Sequence, residues 1–184
     1  MPLSMKKRYT ADEFYNLDIA EPCELIDGYI YDMSPSPNIR HQRIAGEIFY
    51  TIKDYIKKNN GKCRTFSAPT DVKINDFTIV IPDIFVACNP DKFDEQKYNG
   101  APDWVIEIVS PGNYAHDYKD KLLLYKNAGV REYWIIDPEE EKVLVYLFGT
   151  PNTTEFYSFD DEISAGIYRE NDTPLLICVN ELLK

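Results

Sequence analysis

The sequence predicts a mixed α/β fold, a β-sheet with helices packed on it and a β-hairpin near its N-terminal end. Three observations lead there. Trp104–Ser110, WVIEIVS, is almost wholly apolar and reads as a central strand buried on both faces. From about Ile39 to Asn59, apolar residues return at helical spacing (Ile44, Ile48, Tyr55 and Ile56), which makes this the longest amphipathic helix. Asp27-Gly28 stands between the apolar runs ELI and YIY and suits the positive φ of a two-residue hairpin turn.

The elements follow in order. Thr10 and Glu13 form a capping box that opens a short helix with Phe14 and Leu17 on its inner face. The hairpin comes next, and Pro35, Pro37 and Asn38 break the chain before the long helix, which Asn59-Asn60-Gly61 ends. Strands are expected over Cys63–Ile74 and Phe77–Cys88, joined at Asn75-Asp76. A polar loop, Asn89–Pro102, leads to the central strand, and Pro111-Gly112 stops it. A second helix runs from near Ala115 to Ala128, with Gly129 as its C-terminal stop. Glu132–Ile136 and Lys142–Phe148 read as a strand pair linked by the acidic turn DPEEEK. Glu155–Lys184 supplies one or two short strands and a final helical turn around Leu182. With no repeat and no long linker, residues 1–184 read as one domain.

Composition narrows the function. Apolar residues make up 44% and charged residues 28%, an ordinary soluble balance. No run approaches the roughly 18 apolar residues of a membrane span, and MPLSMKKRYTADEF has no apolar stretch after its basic residues, so a cytoplasmic protein without membrane contact is expected. Cys23, Cys63, Cys88 and Cys178 form no CxxC pair and read as small buried thiols of a reducing compartment, not as a disulfide or a metal site. The net charge of −11 argues against a protein that simply coats nucleic acid. Basic residues gather at Lys6, Lys7 and Arg8 and along Lys53, Lys57, Lys58, Lys62 and Arg64, where they could form a nucleic-acid face or plain solvated surface.

Two carboxylates stand in apolar strand runs, Asp83 in IVIPDIFVAC and Glu107 in WVIEIVS. Burying either alone would cost several kcal/mol or keep it protonated. A shared divalent cation with hard oxygen ligands removes the problem, and pairing with Lys or Arg is the plain alternative. Pro82 removes a ladder donor just before Asp83, so the strand is expected to be at an edge or distorted there.

At these residues the chain resembles the PD-(D/E)xK nuclease superfamily and, more closely, the Uma2-type endonucleases. The matching segments are ELIDGYIYDMSPSP, IRHQRIAGEI, IPDIFVAC, GAPDWVIEIVSPG, DYKDKLLLYKNAGVREYWIIDP and VLVYLFG, in family order from about residue 10 to 148. The resemblance implies a restriction-endonuclease-like fold, Mg²⁺ (or Mn²⁺) as cofactor and DNA as substrate. It also implies a homodimer, since many members of the superfamily act as dimers. Asp83 and Glu107 would hold the metal, with Glu24 as a third carboxylate. One departure stands out: the superfamily's Lys, two residues after the Glu, is Val109 here. The Uma2-type pattern has its Lys on the following helix, which Lys121 matches, sharing a face with Asp117 and Tyr125 at i, i+4 spacing. Lys121 would orient or help deprotonate a water, and His41 would contact a phosphate or a metal-bound water. Each has a plainer reading: Glu24 as a hairpin acid, His41 as a structural histidine, and Lys121 as a surface partner of Asp117. The activity implied is phosphodiester hydrolysis. The rival reading is a catalytically weak or inactive nuclease fold used to bind a partner, which the charge of −11 favours and the joint presence of Asp83, Glu107 and Lys121 disfavours.

Overall fold

The computed structural model describes residues 7–33, 37–110, 116–149 and 151–184, with the side chains of 116 and 117 excepted. The capping box closes as expected: Glu13 N donates to Thr10 Oγ1 and Thr10 N to Glu13 Oε2, opening α1 (Ala11–Tyr15). Strands β1 (Cys23–Ile26) and β2 (Tyr29–Asp32) form the hairpin, with φ of 51° at Asp27 and 83° at Gly28. Helix α2 (Ile39–Lys58) starts at Asn38, whose side chain accepts from His41 N. The expected break at Pro35 and stop at Pro111-Gly112 lie outside the described residues.

The two long strands expected over 63–74 and 77–88 are each cut in two, giving β3 (Arg64–Ser67), β4 (Asp71–Asn75), β5 (Thr78–Val80) and β6 (Ile84–Ala87). Pro69 and Pro82 carry no N–H for a ladder and lie in the two breaks. The base of this hairpin, β3 with β6, stays in one sheet while its tip, β4 with β5, swings into another. The remaining strands are β7 (Lys97–Asn99), β8 (Trp104–Ile108), β9 (Glu132–Asp137), β10 (Lys142–Leu147), β11 (Thr153–Ser158), β12 (Ile163–Ser164) and β13 (Leu176–Ile177). A turn of π-helix over His116–Lys121 leads into α3 (Leu122–Ala128), which Gly129 ends in the left-handed conformation, and α4 (Val179–Leu182) closes the chain.

The larger sheet has the order β11-β10-β9-β8-β6-β3, with β8 parallel to β9. The smaller, β2-β1-β5-β4-β7, carries the N-terminal hairpin. Every residue of β8 is buried, as a strand covered on both faces must be. On one side Ile44, Ile48, Ile52 and Tyr55 of α2 pack over Trp104, Ile106, Ile108 and Trp134. On the other, Tyr125 and Val130 pack over Val105, Tyr133 and Ile135. Among the described residues no helix is long and apolar enough to cross a membrane.

One cysteine expectation is corrected: Cys63 and Cys88 form a disulfide, while Cys23 and Cys178 are free. The reason is register. Arg64 faces Ala87 in the antiparallel β3–β6 pair, so the residues just beyond, 63 and 88, face each other. Their spacing in the chain does not reveal this, because it depends on where the intervening hairpin folds.

A buried carboxylate away from the sheet centre ties the C-terminal part to the large sheet. Glu132 is fully buried and accepts from Trp134 Nε1 at 2.7 Å, Gly166 N at 2.8 Å and Ile167 N at 2.8 Å. Burial raises its pKa above the ordinary carboxylate range against the pull of these bonds. Substituting Glu132→Ala would leave three donors without an acceptor, at about 1–3 kcal/mol for each buried group. A fall of at least about 3 kcal/mol in urea unfolding is expected; a wild-type midpoint would show that the anchor is dispensable.

Candidate active site

The break at Pro82 sets the position of Asp83. The chain leaves β5 of the small sheet, turns through Ile81-Pro82-Asp83 and enters β6 of the large one. Asp83 therefore precedes β6 instead of lying in its ladder. Its Oδ2 accepts from Ile108 N at 2.8 Å and is 3.0 Å from His41 Nε2, so the end of β8 and the first turn of α2 both hold it. Asp83 N in turn lies 3.4 Å from Glu107 Oε2. Asp83 Oδ1 accepts no hydrogen bond among the described residues, and the side chain keeps 19% of its surface exposed.

Glu107 is 3% exposed and is the penultimate residue of β8. Ile106 and Ile108 point to the α2 side, so Glu107 points with Val105 and Val109 to the α3 side. Lys121 and Tyr125 meet it there. Lys121 Nζ donates to Glu107 Oε1 at 3.0 Å and Tyr125 OH donates to the same oxygen at 2.7 Å. Lys121 closes the π-turn and Tyr125 lies one α-turn later, so the two present one face to the strand. Burial and the neighbouring Glu107 carboxylate push the Tyr125 hydroxyl well above its usual pKa, so it stays a donor.

Glu24 arrives from the small sheet. Leu25 of β1 faces Ile79 of β5, which brings Glu24 alongside the chain as it leaves β5, where its Oε1 accepts from Ile81 N at 2.9 Å. Glu24 is 2% exposed and lies 3.5 Å from Lys121 Nζ. The Lys121 ammonium thus bridges Glu24 and Glu107 and is itself 5% exposed.

All five residues singled out in the sequence, Glu24, His41, Asp83, Glu107 and Lys121, meet where the two sheets and α2 come together. Glu24, expected as a third metal carboxylate, lies against the Lys121 ammonium, and among the described residues no group of three or more His, Cys, Asp or Glu donors is arranged to hold a metal. Lys121 was alternatively a surface partner of Asp117, but it is buried against Glu107; the Asp117 side chain lies outside the described residues. Sequence reasoning did not give Tyr125 a place in the site, although its i+4 spacing from Lys121 carried the signal. The backbone donors Ile81 N and Ile108 N leave no mark in a sequence at all.

Three carboxylates and one ammonium, when ionised, leave two negative charges in a mostly buried corner. His41 offsets part of this. Burial pulls its imidazole down, but the Asp83 hydrogen bond and the Asp83 and Glu107 charges outweigh burial and hold its pKa above the usual value. Its Nδ1 is buried without a hydrogen-bond partner among the described residues. Asp83, with one uncommitted oxygen and partial exposure, and Glu107 suit a hard divalent cation by donor type and by charge. Mg²⁺ is commonly held by one or two carboxylates, with water and substrate phosphate completing the shell, so a preformed cage of three protein donors is not required.

The chain matches the Uma2 family, described as "Putative restriction endonuclease", over residues 11–172. It is also similar to a solved structure described as "a putative nuclease belonging to DUF820" from Anabaena variabilis ATCC 29413. The two share 26% identity and a TM-score of 0.76, with 94% of this chain and 96% of that one covered. The likeness spans nearly the whole chain and identifies the mixed sheets and flanking helices as a restriction-endonuclease-like fold. No curated protein matches the chain.

Lys121 between two buried carboxylates makes a stability prediction. Removing one partner of a buried ion pair costs about 3–5 kcal/mol. Lys121→Met should therefore melt well below wild type in metal-free buffer, and adding Glu24→Gln should recover part of the loss, because one uncompensated charge is removed. A Lys121→Met variant that melts like wild type would mean that the ammonium does not neutralise these acids.

Proposed function

The chain belongs to the Uma2 family, and on that premise we propose that it is a Mg²⁺-dependent endonuclease that hydrolyses phosphodiester bonds in DNA. The observation that carries the reading is the Lys121 ammonium joined to Glu107 beside Asp83, three groups from α3's lead-in, β8 and the β5–β6 crossing. Asp83 and Glu107 would hold the divalent ion. Bound there, it would lower the pKa of a water and stabilise charge on the phosphate.

The remaining roles belong to the chain's own side chains. Tyr125 and Lys121 both engage Glu107 Oε1, which fixes the carboxylate plane and leaves Oε2 toward Asp83. His41 and Ile108 N hold Asp83 Oδ2 in the same way, leaving Oδ1 uncommitted. The Lys121 ammonium is positioned to hold an attacking water or a phosphate oxygen by hydrogen bonding, with Glu24 holding it in place. The water oxygen forms the new bond to phosphorus, the bond to the leaving oxygen breaks, and the proton released by the water is balanced by the proton the leaving oxygen takes up. The net charge of −11 favours a second reading, a nuclease fold retained for binding a partner.

Plasmid cleavage separates the two. Wild type should nick or linearise supercoiled plasmid in Mg²⁺ or Mn²⁺ and stop in excess EDTA. Asp83→Asn and Glu107→Gln, which keep side-chain shape, should each lower the rate by about 100-fold or more, the usual cost of removing one preorganised electrostatic group. Folded wild-type protein that leaves the plasmid intact in both metals would favour the binding reading. Cleavage that survives EDTA or both substitutions would place the chemistry elsewhere.

A further inference from the structure

At the far end of α2 from the candidate site lies a groove of about 700 Å³ lined by Lys53, Lys57, Cys63, Arg64 and Phe66, among others. One wall is the C-terminal half of α2. The other is β3, the edge strand of the large sheet, whose outer side pairs with no strand among the described residues. Lys53, Lys57, Lys62 and Arg64 are all exposed here. Among the described residues none of the four forms an ion pair, although the chain carries 31 acidic residues against 20 Lys and Arg. Lys58 alone is neutralised, by Asp54. The negative end of the α2 dipole explains basic residues in its last turn, such as Lys57. It does not explain Lys53 more than one turn earlier, nor Lys62 and Arg64 beyond the helix. In a strongly acidic protein, positive charge left uncompensated on two walls of one groove is a feature that a polyanion can use.

The groove also lies in line with the candidate site. Strand β3 runs from Arg64 to Ser67, and Ala68 N bonds to Asp83 O just beyond. Four residues of strand separate Arg64 from that point, or about 13 Å. Along α2, Lys57 is sixteen residues from His41, or about 24 Å. Successive phosphates on one DNA strand are spaced about 3.4 Å apart along the axis, so both distances correspond to about four to seven nucleotides.

We propose that the Lys53–Lys57–Arg64 groove is a second contact surface for duplex DNA, gripping the phosphate backbone about four to seven nucleotides from the bond placed at Asp83 and Glu107. The inference rests on the nuclease reading for the identity of the polyanion. The groove holds DNA without taking part in the chemistry.

Fluorescence anisotropy with a labelled 20-base-pair duplex, in EDTA so that nothing is cut, tests it. The groove variant is Lys53→Ala/Lys57→Ala/Arg64→Ala. The control, Lys126→Ala/Lys142→Ala/Lys184→Ala, removes the same charge elsewhere. The groove variant should bind at least about tenfold more weakly, with its log Kd against log salt slope lowered by about one per lost phosphate contact, while the control stays within about twofold of wild type. Equal weakening in both variants, or none in the groove variant, would overturn the proposal. So would a wild type with no affinity for the duplex. If the triple variant does not fold, Lys53→Ala and Arg64→Ala singly should each lower affinity and salt slope, and wild-type values in both would overturn the proposal. Plasmid cleavage keeps the two claims apart: cleavage with unchanged groove-variant binding removes the groove alone, whereas groove-dependent binding without cleavage removes the nuclease reading alone.

Discussion

Glu107 lies in a strand that is otherwise apolar and covered on both faces, where an uncompensated carboxylate would cost several kcal/mol. The arrangement around it answers that cost. Lys121 supplies the opposite charge, Tyr125 a second donor to the same oxygen, and Asp83 N approaches the other. A buried lysine is as costly as a buried glutamate unless it too is paired, and Glu24 completes the balance from a different sheet. One buried carboxylate therefore ties together α3, β8, β1 and the crossing before β6.

The crossing does the geometric work. Had the hairpin of residues 63–88 continued as two uninterrupted strands, Asp83 would lie within a ladder and Glu24 on a hairpin without a sheet to join. The breaks at Pro69 and Pro82 divide the hairpin between two sheets. The tip then offers β5 as a partner for β1, which delivers Glu24, and the bend frees Asp83 to reach the end of β8. His41 reaches the same point because α2 begins at Asn38.

Much of this was legible in the sequence for identifiable physical reasons. A carboxylate inside WVIEIVS is conspicuous because burial is costly, the Asp27-Gly28 turn is conspicuous because positive φ restricts residue choice, and α2 follows from its period. Pro82 signalled distortion before Asp83. What escaped was long-range register. The division of the 63–88 hairpin between sheets depends on where each half finds a partner, and the Cys63–Cys88 pairing depends on the resulting alignment. The same holds for Glu24, whose meeting with Lys121 follows from the β1–β5 pairing and cannot be read from CELIDG alone.

The central claim is that Asp83 and Glu107 together form one divalent-cation site beside the Lys121 ammonium. Isothermal titration of metal-free protein with Mn²⁺ tests it most directly. One ion per chain is expected for wild type, with binding lost or weakened at least about tenfold in both Asp83→Asn and Glu107→Gln, as befits removal of one charged ligand from a shared ion. Unchanged Mn²⁺ binding in either variant would contradict the claim, since an ion held by both carboxylates cannot be indifferent to the loss of one.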